Sequence, residues 1–125
     1  MLDRKTYQSL KNAAPDDRYR HFLSRVAQSG RLWLLGTREH PEDYATYEAE
    51  GTVHLLVWPD REFCQDYVTE GEMPVSLGVH DFLIQCCDIG EEYRLMVFPN
   101  EVDAYVVPVE KFREDMLAAL SEPEE

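Results

Sequence analysis

The sequence predicts one α+β domain, a mixed α/β arrangement with helices packed on a twisted, mostly antiparallel sheet of about five or six strands. A chain of 125 residues is long enough for one ordinary domain but not for two. Hydrophobic residues make up 44%, which is typical of globular proteins. Segments with helical and strand periodicity alternate in the order α-β-β-β-α-β-α-β-β-α. We assign residues 1–125 to this domain, with 1–14 as an N-terminal extension or short helix and 121–125 as a solvated acidic tail.

The helices are predicted from apolar spacing and from residues that start or end helices. Pro15 suits a first helical turn and Gly30 a helix end, so the first long helix should cover residues 15–29. Asp60 is a candidate N-cap for the second helix, and Pro108 opens the last one. A further amphipathic helix is marked by Val79, Phe82, Leu83 and Cys86, and the inner face of the last helix by Val109, Phe112, Met116, Leu117 and Leu120.

The strands are predicted from short runs rich in aliphatic and aromatic residues. Because the first three are joined by short connections, we expect them to form an antiparallel meander. We find no internal repeats. The strands should cover residues 31–36, 44–49, 52–58, 74–77, 93–98 and 104–107. The core should join the first long helix to the sheet through Phe22, Leu23, Val26, Trp33, Leu55, Val57, Phe82, Val97, Phe112 and Leu117.

The charge is large and unevenly distributed. The chain carries a net charge of −13, yet residues 1–40 hold eight Lys/Arg and four Asp/Glu. The remaining residues hold four basic and 21 acidic side chains. Such a surface repels phosphate backbones and anionic lipids, so neither nucleic acid nor a membrane is the expected partner. The charge favours cytoplasmic solubility or an acidic face for a basic protein partner, and a nucleic-acid mimic is a further alternative.

Cysteine usage and the N-terminus also favour a cytoplasmic protein. The three cysteines, Cys64, Cys86 and Cys87, form no C-x-x-C pair and suggest no disulfide framework. Residues 1–6 lack the apolar segment of a secretory signal. No apolar run is longer than five residues, whereas a membrane-spanning helix needs about 20.

No residue pattern in the chain is typical of an enzyme, a metal site or a cofactor site. No two histidines are spaced as local metal ligands; we place His21 at the surface and His54 on a solvent-facing strand position. Acidic neighbours of Cys64 disfavour its thiolate, and Cys86 lies on an apolar helix face. We therefore predict no catalytic, metal or cofactor residues, although the reactivity of the three cysteines stays open. An enzyme with a site assembled near Cys64 or His54 remains an alternative.

The order and spacing of several short motifs resemble a known bacterial family. The motifs are Arg18–Leu23, Leu32–Leu35, Val57–Pro59 with Phe63-Cys64, Val79–Leu83, Met96–Pro99 and Val107-Pro108. They are similar to the domain-of-unknown-function family 2750 over residues 16–120, and more distantly to the enhanced-serine-sensitivity family of small α/β proteins. The resemblance implies no established activity and no catalytic residues. The family usually has alanine where this chain has Cys64, which further disfavours a catalytic thiol.

These observations favour a small, acidic, cytoplasmic protein without enzymatic activity that binds another protein, in an immunity or regulatory role. Trp33 and Trp58 lie near strand ends and are the candidate partner-binding residues, although core packing is the alternative for both. The sequence leaves the partner, the oligomeric state and the pathway open.

Overall fold

The computed structural model describes residues 4–37, 39, 44–49, 51–86, 93–99 and 104–121. These residues form five helices and six strands, and the predicted α+β class and element order are confirmed. The helices are α1 (Arg4–Lys11), α2 (Pro15–Ser29), α3 (Arg61–Gln65), α4 (Val79–Cys86) and α5 (Val109–Ser121). The strands are β1 (Arg31–Thr37), β2 (Thr46–Ala49), β3 (Thr52–Val57), β4 (Glu72–Gly78), β5 (Tyr93–Val97) and β6 (Tyr105–Pro108). Apart from Ser121, the predicted acidic tail lies outside the described residues.

The predicted boundaries of α2 are confirmed, and its ends explain why. Pro15 stands in the first turn with Asp16 and Asp17, which suit the positive end of the helix dipole. Gly30 has a φ of 79°, and its N–H donates to the carbonyl oxygen of Val26 at 2.8 Å. This left-handed glycine ends the helix and turns the chain at once into β1.

The strands form two hydrogen-bonded sheets, whereas the sequence predicted one. A four-stranded sheet has the order β2-β3-β5-β6, and a second sheet pairs β1 with β4. All pairs are antiparallel except β3 and β5, which are parallel. The predicted meander of the first three strands is therefore wrong for β1, because its full length pairs with β4 from Arg31↔Gly78 to Thr37↔Glu72.

Among the described residues, a backbone bridge between two tryptophans joins the two sheets. The N–H of Trp33 donates to the carbonyl oxygen of Trp58, and the N–H of Trp58 donates to that of Trp33, both at 2.9 Å. Ala45 adds a hydrogen bond from its N–H to the carbonyl oxygen of Leu35 at 2.7 Å. The bridge places the start of β1 beside the end of β3.

The two parallel strands, β3 and β5, carry similar residues at paired positions, and this short similarity is not a longer internal repeat. His54–Asp60 reads HLLVWPD and Arg94–Asn100 reads RLMVFPN. In the sheet, His54 pairs with Arg94 and each following residue pairs with its counterpart as far as Val57 and Val97. Each strand is followed by an aromatic residue and then by a proline, which has no N–H for a continuing ladder.

The core lies where α2, α4 and α5 pack on the sheets. The Phe112 ring lies 5.9 Å from that of Phe22 and 5.8 Å from that of Phe82, measured between centroids. The predicted core is confirmed at seven positions, while Leu23 and Trp33 are partly buried. Leu117 is 48% exposed, so its predicted core position is wrong. The buried face of α5 contains Val109, Phe112 and Met116, and one further residue rotates Leu117 by about 100° toward solvent.

The contrast between two apolar residues of α5 is testable. We expect Phe112→Ala to lower the free energy of unfolding by about 3–5 kcal/mol, because it leaves a cavity between three helices. Leu117→Ala, the matched control on the same helix, should change it by less than about 0.5 kcal/mol. Urea unfolding measures both values. Equal losses would contradict the orientation of α5.

Candidate anion-binding cleft

The carboxyl ends of the parallel strands are held by a buried arginine. Arg18 is 1% exposed, and its Nε donates to the carbonyl oxygen of Phe98 at 2.9 Å. The guanidinium also donates to the carbonyl oxygen of Ala13 and lies 6.0 Å from the centroid of the Phe98 ring. Phe98 has a φ of 50°, a left-handed conformation that is costly for a bulky residue. The hydrogen bond from Arg18 therefore holds a strained turn immediately after β5.

A cleft of about 310 Å³ opens beside the end of β3. Arg25 and Ser29 line it from α2, Arg31 and Trp33 from β1, and residues 59–62 from the start of α3. Local structure brings these segments together. Gly30 turns α2 into β1, and the backbone bridge between Trp33 and Trp58 holds β1 against the end of β3. The cleft thus collects three arginines in a chain whose net charge is −13.

Arg25 and Asp60 form an ion pair in the wall of the cleft. Arg25 Nε donates to Asp60 Oδ1 at 2.9 Å, with the side chains 42% and 9% exposed, respectively. Asp60 occupies the predicted N-cap position of α3 with extended backbone, but its side chain makes no capping hydrogen bond. The second carboxylate oxygen, Oδ2, is buried and has no hydrogen-bond partner in the described chain. Asp60 is therefore a buried charge that depends on Arg25.

His21 lies near the same ion pair and is half-buried, so its predicted surface position is wrong. Its ring is tilted against that of Phe98, with the centroids 6.2 Å apart. Burial lowers the pKa of His21, Asp60 opposes the shift, and Arg25 lowers it further. Nε2 is buried without a hydrogen-bond partner among the described residues. The imidazole is therefore expected to be neutral at physiological pH.

The side-chain N–H donors of Arg31, Arg61 and Trp33 in the cleft have no acceptors in the part of the chain that the structure describes. Arg31 and Arg61 are exposed, and neither guanidinium forms an ion pair or a hydrogen bond there. The same holds for the indole N–H of Trp33, which is partly buried. Arginine and tryptophan side chains donate hydrogen bonds but do not accept them. The cleft therefore suits a ligand that accepts hydrogen bonds and carries negative charge.

Only one of the two tryptophans predicted to bind a partner reaches the surface. Trp58 is 1% exposed, stacks on Tyr67 with ring centroids 5.5 Å apart, and donates from Nε1 to the carbonyl oxygen of Pro99 at 3.2 Å. Its surroundings are those of a core residue. Trp33 keeps exposed surface within the cleft.

The arginines of the cleft were not singled out by the sequence. Two signals pointed toward them. One is the excess of basic residues before residue 40, and the other is the segment Pro59-Asp60-Arg61, which follows a strand that ends in tryptophan.

Cys64 and His54, the residues of the alternative enzymatic site, are both buried. The thiol of Cys64 donates to the carbonyl oxygen of Leu34 at 3.4 Å, and burial raises its pKa to about 12. Nδ1 of His54 lies 3.1 Å from the carbonyl oxygen of Tyr47, so this nitrogen carries the proton. The predicted solvent-facing position of His54 is wrong, because its side chain is buried on β3, a central strand of the four-stranded sheet. No hydrogen bond joins His54 to Cys64.

The other candidate chemical groups are located as follows. Cys86 is buried, His80 is exposed at the start of α4, and His40 and Cys87 lie outside the described residues. Within the described ranges, no three His, Cys, Asp or Glu side chains are grouped to hold a metal ion. Among the helices described here, none combines the length and apolar character needed to cross a membrane.

The coupling between Arg25 and Asp60 can be measured with a double-mutant cycle. Arg25→Gln should lower the free energy of unfolding by about 1–3 kcal/mol, because the Asp60 carboxylate stays buried without its partner. Adding Asp60→Asn removes that charge and should restore part of the loss. Chemical unfolding of the four proteins gives the coupling energy. Simple additivity of the two single changes would contradict the ion pair.

The thiol of Cys64 should make stability depend on alkaline pH. Its pKa rises from an ordinary 9.0 to about 12 in the folded protein, so the folded state keeps a proton that the unfolded chain releases. The contribution of the protonated thiol to the free energy of unfolding is complete below pH 9 and is lost as the pH rises toward 12. Urea midpoints at about pH 8 and about pH 10.5 should therefore fall more in the wild type than in Cys64→Ala. Parallel decreases in both proteins would refute this.

Comparison with known proteins places the chain in a family. The model of a family described as "Protein of unknown function (DUF2750)" matches residues 19–116, most of the chain. No curated protein matches it. The similarity to the enhanced-serine-sensitivity family stays a prediction. The match includes most of α2, every described strand and most of α5, and it covers every residue that lines the cleft. The chain therefore belongs to the DUF2750 family.

Proposed function

We propose that the chain is a non-enzymatic protein-binding module, and that the cleft around Trp33 is its contact surface. The observation that carries this proposal is that a partly exposed tryptophan, Trp33, shares the cleft with Arg31 and Arg61, which form no ion pair among the described residues. Tryptophan and arginine are the residues that most often dominate the energy of protein interfaces. An immunity or regulatory role in the cytoplasm would be a specific form of this function.

The charge of the whole chain supports a basic partner. With a net charge of −13, the surface attracts positively charged proteins and steers their approach. The arginine-lined cleft is a local exception to that charge. A partner that is basic overall and presents one acidic group would complement both features, whereas a uniformly acidic partner would be repelled.

The enzymatic alternative is less well supported by the same geometry. Cys64 is buried with a thiol that is protonated at neutral pH, and His54 faces the backbone of β2. Neither residue lines the cleft. A catalytic role would require one of them to become exposed to a substrate.

Photo-cross-linking from the cleft tests the proposed function. A photoreactive phenylalanine analogue replaces Trp33 in one variant and Ile84, which is 65% exposed on α4, in a matched control. We expect position 33 to capture one partner protein in stoichiometric amounts, position 84 to capture none, and capture to decrease with added salt. The absence of any adduct at position 33, at both low and high salt, would count against the proposal.

A further inference from the structure

We infer that the cleft binds an oxyanion on a peptide side chain of the partner, either a carboxylate or a phosphoryl group, between Arg31 and Arg61. This inference rests on the proposed function and specifies its ligand. The described chain supplies no acceptor for either guanidinium, and each offers five N–H donors in a planar fork. A carboxylate or phosphoryl group is the acceptor that this fork fits best.

Arg25 adds a third, pre-positioned donor. Its Nε is occupied by Asp60, while its terminal nitrogens have no acceptor among the described residues. Because Asp60 is buried and fixed at the start of α3, it orients the guanidinium of Arg25 within the cleft wall. Asp60 is thus a positioning residue, acting through Arg25 rather than on the ligand.

The backbone around Arg31 is also fixed. Ser29 Oγ donates to the carbonyl oxygen of Arg31 at 3.1 Å and accepts a hydrogen bond from the backbone N–H of Arg31 at 3.4 Å. Val79 donates its N–H to the carbonyl oxygen of Gly30 at 2.9 Å, which continues the hydrogen bonding between β1 and β4 by one residue. The base of the Arg31 side chain is therefore held in place, which reduces the entropy lost when a ligand binds.

The charge balance selects a single anionic group rather than a polyanion. Asp60 compensates Arg25, so the cleft retains Arg31 and Arg61 against Glu62. This small positive excess lies within a chain of net charge −13. Nucleic acid would meet repulsion from the rest of the molecule, while one acidic side chain on a basic protein would not.

Binding of three matched peptides tests the inference. The peptides share lysine flanks and differ at two central positions, which hold glutamate, phosphoserine or glutamine. Trp33 fluorescence reports occupancy of the cleft, because the other tryptophan, Trp58, is buried. We expect the glutamate or the phosphoserine peptide to bind at least about tenfold more tightly than the glutamine peptide. The tighter of the two identifies the oxyanion, and equal affinities for all three peptides would overturn the inference.

Two variants of equal net charge control for general electrostatics. Arg31→Gln with Arg61→Gln should remove the preference over the glutamine peptide. Arg4→Gln with Arg94→Gln, at exposed positions away from the cleft, should preserve it. We expect Asp60→Asn to weaken binding of the anionic peptides although it adds one positive charge to the cleft, because the Arg25 guanidinium loses its anchor, and to leave the affinity for the glutamine peptide unchanged. Circular dichroism establishes that each variant is folded. A preference that survives loss of Arg31 and Arg61 would overturn the inference.

The two proposals fail in distinguishable ways. If position 33 captures a partner but the three peptides bind alike, the module function stands and the oxyanion site is wrong. If the anionic peptides bind selectively but no partner is captured, the oxyanion site stands and the module function is wrong.

Discussion

The hydrogen bond from buried Arg18 to the carbonyl oxygen of Phe98 joins α2 to the end of β5, and the geometry around it depends on this contact. An arginine that is 1% exposed is costly to bury unless its donors are used. Here they bind the carbonyl oxygens of Phe98 and Ala13, so one side chain fixes both the start of α2 and the turn after β5. Val57 accepts a hydrogen bond from the Phe98 N–H at 2.8 Å, which connects the same turn to β3.

The helix α2 connects the buried contact of Arg18 to the cleft at the surface. Arg18 and Arg25 lie two helical turns apart and therefore face the same side, one buried at the strand ends and the other at the wall of the cleft. His21 and Phe98 pack between them. Arg25 then meets Asp60, which follows the matching end of β3. One face of α2 thus carries Arg18 in the core, the neutral imidazole of His21 and the ion-paired Arg25. Because Arg25 lines the cleft, this face fixes where the cleft lies.

Local sequence patterns predicted the helices and strands well, but they did not predict which strands pair or which side chains form ion pairs. The limits of α2 follow from Pro15 and Gly30, which act on their own neighbours and need no tertiary information. The pairing of β1 with β4 depends on contacts between distant segments, and the meander prediction therefore failed. The ion pair between Arg25 and Asp60 likewise joins residues far apart in the chain. The sequence predicts Asp60 as a helix N-cap. Nothing in the neighbouring sequence indicates that its carboxylate accepts a hydrogen bond from a distant arginine and not from the N–H groups of α3.

The matching ends of β3 and β5 have a consequence for the order in which the molecule folds. Trp58 and Phe98 both precede a proline, a context that favours extended backbone, and Trp58 pairs with Trp33 as a strand residue does. Phe98 instead has a φ of 50°, a conformation that its own neighbours disfavour. The hydrogen bonds that compensate for it come from Arg18 in α2 and from Val57 in β3, and both elements must be in place before those bonds can form. We therefore expect the Phe98 turn to close late, as the step that locks an already assembled helix and parallel strand pair.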